Sequence, residues 1–398
     1  MIDSPAAALQ VLLLIAALVA MLVRRLHLPY TVGLVLAGIG IAFFPVTVHF
    51  PLTKQLIFST FLPPLIFEAA LHLPWQELRR NAVPVITLAS VGTLLSAAVS
   101  AAAMHGLAGW PWISAWLFGV LIAATDPVSV IATFKEAGVK GRLRLLMEAE
   151  SLLNDGTAAV AFVIVLTIAA GGSVTAVGIV RDLLLTVSGS ILCGIFVAGA
   201  VLLIAGRASD PLIEITLTSV VAYGSFLLAE HMHFSGVLAT LTAGIMVGTG
   251  ATSLLSEKGR EAVISFWDYA AFVINSLIFI LIGLSEAHQD FRAVLLPAAI
   301  AIIFVTAGRA VAIYPIAALL HPIPRWRISL AHQHILVWGG LRGALALALV
   351  LGLPEGIPRR ADIITVAFAV VAFSVIVQGL TMQPLLRRLG EIPRRRPE

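Results

Sequence analysis

Four acidic residues, Glu68, Asp126, Glu150 and Asp155, lie in or beside long apolar runs, and two arginines, Arg309 and Arg342, join them there. A carboxylate at the centre of a bilayer costs roughly 2.5–3.5 kcal/mol on insertion scales, so four exposed to lipid would cost roughly 10–14 kcal/mol. Such groups must face a watery cavity or one another. Two kinds of chemistry fit: an ion or proton pathway, or buried ion pairs joining helices. Asp155 and Asp126 fit the pathway, whereas Glu150 and Arg309 fit a structural pair. The residues alone leave open whether Arg309 or Arg342 is the closer partner of Glu150.

The densest cluster is Glu150-Ser151-Leu152-Leu153-Asn154-Asp155. On a helix Ser151 and Asp155 are one turn apart and share a face, and Glu150 and Asn154 share the neighbouring one. One face then offers a hydroxyl and a carboxylate. Hard cations take oxygen ligands, so Na⁺ is a fitting guest, and Asn154 could orient Asp155.

A second cluster is Ala124-Thr125-Asp126-Pro127. Asp is a good N-cap and Pro a good first helical residue, so the run reads as two half-helices with an unwound joint. The carbonyls of Ala124 and Thr125 would be free for a cation, and Asp126 would balance the positive end of the second half. The alternative is a plain Pro kink with a capping Asp. Trp338-Gly339-Gly340-Leu341-Arg342-Gly343 suggests another interruption, in which Arg342 would offset the exposed carbonyl ends. Phe61-Leu62-Pro63-Pro64-Leu65-Ile66-Phe67-Glu68 places a carboxylate beyond two prolines, where it could line an access path or lie at the interface. The pairs His231/His233 and His332/His334 do not share helix faces and are expected to be interfacial rather than metal ligands. No H-E-x-x-H, phosphate loop or nucleophile elbow accompanies them. A cation channel and an intramembrane enzyme remain distant alternatives.

The elements that hold these groups follow from composition. Of 398 residues, 60% are hydrophobic and only 12% charged, and the mean hydropathy is +1.02. Soluble domains carry about 25% charged residues. Long apolar runs exclude a β-barrel of short alternating strands, and the single Cys193 excludes disulfides and cysteine metal sites. At about 20 apolar residues per span the chain reads as an all-α polytopic membrane protein of thirteen helices. They run near 7–23, 29–46, 54–73, 83–105, 112–134, 146–170, 175–205, 211–230, 234–250, 262–285, 292–320, 329–352 and 361–386. The first is read as a span rather than a signal peptide, because Arg24 and Arg25 and then a second apolar run follow it. Alternate loops hold 18 of the 25 basic residues, which predicts an outer N-terminus and a cytoplasmic C-terminus. The basic tail is expected to meet solvent or lipid headgroups, not nucleic acid. If spans 1–6 and 8–13 are repeats, their odd spacing makes them inverted and pairs broken span 5 with broken span 12. That is a signature of a secondary transporter's midplane site.

Five segments together resemble a known family: FLPPLIFEAAL (61–71), ATDPVSV (124–130), ESLLNDGTAAV (150–160), GRAVAIYP (308–315) and GGLRGALALAL (339–349). RLHLPYTVGLVLAG (25–38) joins them. They look like the monovalent cation:proton antiporters, most of all the NhaP-type sodium/proton antiporters and their eukaryotic exchanger relatives. The resemblance implies the NhaA/NhaP-like fold and a homodimer in the bacterial inner membrane, with a part in pH homeostasis. It implies dimerisation regions at 1–80 and 207–286, a moving core at 81–174 and 287–398, and a connecting helix at 175–206. It further implies that Asp155 carries Na⁺ or a proton, that Thr125, Asp126 and Ser151 complete the cation site, and that Asn154 marks an electroneutral branch. Glu68 would approach the site, and Glu150 would pair with Arg309.

The expected activity is exchange of Na⁺, or Li⁺, for H⁺. No cofactor is expected. Burial can raise a carboxyl pKa by up to about 3–5 units, which would let Asp155 hold either a proton or a cation near neutral pH. One carboxylate beside a neutral Asn implies one proton per cation. Oxygen ligands do not separate Na⁺ from K⁺, so a K⁺/H⁺ antiporter is the alternative.

Overall fold

The computed structural model describes residues 5–26, 28–43, 53–172, 175–205 and 210–392, and every regular element among them is helical. Thirteen helical segments matching the expected spans appear there in order, with a short helix, Trp75–Arg80, between the third and the fourth. The first two are Pro5–Leu26 and Tyr30–Ala42. The third is Leu56–Leu71 and the fourth Ala82–Gly106. The fifth is broken into Trp112–Ala123 and Pro127–Ala137, and the sixth is Arg142–Ala169. The seventh to tenth are Ala176–Ala205, Pro211–His231, Gly236–Leu254 and Glu257–Glu286. The eleventh is Phe291–Leu320. The twelfth is broken into Leu330–Trp338 and Ala344–Leu351, and the thirteenth is Arg360–Arg388. Seven of these are long and apolar enough to cross a membrane unaided. The end of the expected second span, beyond Phe43, lies outside the described residues.

Local sequence explains the irregular stretches. Ala124 leaves the helix with φ −59° and ψ 138°, and Pro127 then restarts it where no N–H is required. In the third span Pro63 and Pro64 remove two ladder donors, and a π-helical turn, Leu56–Phe61, precedes them. The Thr60 carbonyl, four residues before Pro64, accepts instead from the Tyr223 hydroxyl at 3.1 Å. The thirteenth span carries a π turn at Ser374–Gln378. Such turns free backbone and side-chain groups for other partners.

The chain forms two compact units. One comprises Met1–Lys54, Val83–Asn154 and Asn275–Glu398, and holds both broken spans. Within it the fourth span packs on the first half of the fifth and on the eleventh. The other comprises Gln55–Ala82 and Asp155–Ile274. Its core gathers Phe67, Leu202, Val221, Val247, Val263 and Trp267. Their bounds differ from those of the regions that the resemblance implies.

Candidate functional site

The break in the fifth span is tied to the sixth span chiefly by Asn154. Asn154 Oδ1 accepts the backbone N–H of Thr125 at 3.1 Å, and a backbone N–H can only donate, which fixes the oxygen end of the amide. Its Nδ2 donates to Thr125 Oγ1 at 2.6 Å and to Glu150 Oε1 at 3.0 Å. Thr125 Oγ1 also lies 2.8 Å from Ser151 Oγ. Thr125, Ser151 and Asn154 therefore meet as the sequence suggests, each at most 1% exposed. Asp155 follows Asn154 directly, one turn beyond Ser151, and is 2% exposed.

Glu150 meets Arg309. Arg309 Nη1 donates to Glu150 Oε1 at 2.6 Å and Nη2 to Oε2 at 3.1 Å, a forked pair, and Nη2 also reaches the Leu336 carbonyl at 2.7 Å. Arg309 is thus the close partner, as the resemblance implies and the residues alone leave open. The pair ties the sixth and eleventh spans to the first half of the twelfth.

Arg342 does something other than expected. Its Nη1 donates to the carbonyls of Ala123 and Ala124, at the open end of the fifth span's first half. It offsets the carbonyl ends of the other break rather than its own. The Ala124 oxygen, expected to serve a cation, is thereby occupied by a guanidinium whose charge opposes a cation there. Asp126 returns the exchange: its N–H donates to the Leu341 carbonyl at 2.7 Å. Its Oδ2 accepts the Ser129 N–H at 3.1 Å and the Ser129 hydroxyl, capping the second half-helix. The twelfth span's break is further held by Ser374 Oγ, which accepts the Arg342 N–H at 2.9 Å. Close crossing requires glycine. A Cβ on Gly343 would sit 2.5 Å from the Asp126 carboxyl, and one on Gly340 2.7 Å from Arg309 Nε.

Arg309 Nε and Arg342 Nε and Nη2 have no protein partner among the described residues. Both arginines line a small cavity with Thr306, Gly340, Ser374 and Gln378. Ordered water is the ordinary partner for such buried donors.

The matching family profile, that of the transmembrane sodium/hydrogen exchangers, covers residues 11–388. The chain belongs to the sodium/hydrogen exchanger family. It is 38% identical over 371 residues to the Na⁺/H⁺ antiporter ApNhaP of Aphanothece halophytica, covering 92% of this chain and 70% of that one. It is 33% identical over 350 residues to the Na⁺/H⁺ antiporter NhaP of Pseudomonas aeruginosa, covering 84% and 81%. The fold matches the sodium proton antiporter MjNhaP1 of Methanocaldococcus jannaschii, with TM-score 0.75 at 21% identity over 96% of this chain and 98% of that one. The family is one of membrane transporters, as the motifs of the third, fifth, sixth, eleventh and twelfth spans imply.

Glu68 lies in the other compact unit, at the end of the third span, beside His72 and Asp268. Sequence reasoning named neither neighbour, nor the capping Ser129 and Ser374. Glu68 and His72 are spaced i, i+4, a signal that was there to read; nothing local ties either to Asp268. Of the two His pairs, His332 and His334 make side-chain contacts. His334 Nδ1 lies 2.7 Å from the Tyr314 hydroxyl, and His332 Nε2 lies 3.1 Å from Glu391.

Proposed function

We propose that this protein is a secondary antiporter that exchanges Na⁺ or Li⁺ for H⁺ by competition of cation and proton for Asp155. The observation that carries this is a nearly fully buried carboxylate, Asp155, directly after an asparagine that holds the unwound Thr125 segment. Ser151 and Thr125 offer neutral oxygens in the sixth and fifth spans, and hard monovalent cations favour such ligands. Asp126 caps the half-helix beyond the joint and completes the cation site. The relatives named as Na⁺/H⁺ antiporters support the choice of ions.

In this mechanism Asp155 moves only when neutralised by a cation or by a proton. An empty, charged Asp155 is held by the cost of carrying a bare charge through an apolar barrier. The Glu150–Arg309 pair and the Arg342 crossing keep the surrounding backbone in place. Asn154 carries no charge, so one proton leaves for each cation that enters. We further place the protein as a homodimer in the bacterial inner membrane, with the N-terminus outside and the C-terminus in the cytoplasm. Spans 1–3 and 8–10 form the dimerising part and spans 4–6 and 11–13 the moving part.

The test is proton movement in everted vesicles or proteoliposomes on adding Na⁺, Li⁺ or K⁺ in turn, with Asp155→Asn alongside. A Na⁺ and Li⁺ response that the variant lacks is expected. A response to K⁺ alone would change the substrate, and no response to any cation from folded protein over a broad pH range would overturn the proposal.

A further inference from the structure

We propose that Glu68, His72 and Asp268 form a binding site for a divalent transition-metal cation of the Zn²⁺ class, clasping the third and tenth spans. One ligand atom from each of the three residues lies within 4.8 Å of the others. All three belong to the same compact unit.

The histidine sets the chemistry. His72 Nδ1 lies 3.0 Å from the Glu68 backbone carbonyl, which can only accept, so Nδ1 carries the proton. In the neutral ring the lone pair is then on Nε2, which faces Asp268 Oδ1 at 3.6 Å, while Glu68 Oε1 lies on the other side of the ring, 3.5 Å from Nδ1. The Nε2–Oδ1 separation exceeds the ~2.7–3.2 Å of an N–H···O bond. It matches two ligands of one ion: bonds of about 2.1 Å at a tetrahedral angle put the ligand atoms about 3.4 Å apart. A histidine that gives its other N–H to a backbone carbonyl is the usual form of a metal ligand. Imidazole nitrogen with carboxylate oxygens suits Zn²⁺ and its neighbours and not Na⁺ or Mg²⁺, which prefer all-oxygen sets.

The frame is rigid where it needs to be. Phe67, next to Glu68, packs on Trp267, next to Asp268, with ring centroids 4.8 Å apart. Trp267 Nε1 donates to Thr218 Oγ1 at 3.0 Å, which fixes that ring in turn. The ligands themselves are reachable, with side-chain exposures of 17% for Glu68, 37% for His72 and 40% for Asp268. Three protein ligands and an open side leave a fourth position for water.

The test uses full-length protein without a polyhistidine tag, stripped with a chelator. Zn²⁺ alone is titrated by calorimetry, and Co²⁺ alone serves as an optical probe of the ligand field. The expected result is one site per chain with micromolar affinity. His72→Gln and Asp268→Asn each weaken it at least ten-fold, and His72→Cys, which restores a zinc ligand, retains it. The Co²⁺ visible band is lost in the first two variants. Gel filtration shows that each variant is folded. Wild-type binding no tighter than millimolar, or binding unchanged in both His72→Gln and Asp268→Asn, overturns the proposal. None of these readouts depends on exchange activity.

Discussion

Removing Glu150 tests the structural half of the site. Its carboxylate is 1% exposed and takes both terminal nitrogens of Arg309, itself 5% exposed. Glu150→Leu leaves a buried guanidinium without its counter-charge, which costs about 3–5 kcal/mol when one partner of such a pair is removed. Asn154 loses one of its two Nδ2 acceptors but keeps Thr125 Oγ1, so the unwound joint loosens only slightly. The double variant Glu150→Leu/Arg309→Met removes both charges. It still loses the bond to the Leu336 carbonyl, about 1–3 kcal/mol for an unsatisfied buried acceptor. The double variant should therefore be more stable than Glu150→Leu. At about 2 °C per kcal/mol for a large chain, Glu150→Leu should lower the temperature at which half the protein leaves the monodisperse gel-filtration peak by about 6–10 °C. The double variant should regain at least about 2 °C of that. Normal stability in Glu150→Leu, or purely additive losses in the double variant, would refute the buried pair as a structural clasp.

Two further outcomes follow from the site. Imposing a membrane potential on proteoliposomes should leave the exchange rate nearly unchanged, because the proposed mechanism balances one proton against one cation; a strong voltage dependence in flux assays would show an unequal stoichiometry. Gly343→Ala should lower thermal stability by about 1–3 kcal/mol, the usual cost of overpacking, and depress exchange, because its Cβ would press on the Asp126 carboxyl; wild-type melting and flux would show that the two breaks can separate without penalty.

What the sequence could reveal was set by how local each signal is. A carboxylate in an apolar run stands out, so Asp126, Glu150 and Asp155 were visible. So were the breaks, because Asp126-Pro127 and three glycines in five residues punctuate otherwise helical runs. The number and order of spans followed from hydropathy and from alternation of basic loops. Pairings between distant segments were not visible. The choice of Arg309 over Arg342 for Glu150 depends on how the eleventh span turns its face, which no local pattern encodes. The donation from Arg342 to Ala123 and Ala124 joins residues more than 200 positions apart. Asp268 is almost as remote from His72, and a half-exposed carboxylate at a helix surface carries no warning of its own. Ser129 becomes legible only when the Asp126 cap is followed to the N–H and hydroxyl it serves.

The reciprocity of the two breaks explains how an unwound backbone persists in an apolar setting. Each broken helix exposes carbonyls at one end and N–H groups at the other, and a buried, unpaired backbone group is costly. Here neither break satisfies all of its groups by itself. The fifth span's carbonyls are met by Arg342 from the twelfth, and the twelfth span's Leu341 carbonyl is met by the Asp126 N–H from the fifth. Arginine suits this task better than lysine, because one planar nitrogen spans two carbonyls while the remaining donors stay available for water in the adjoining cavity. Opening either break strands polar groups in both. The pair therefore acts as one rigid support for the residues around it.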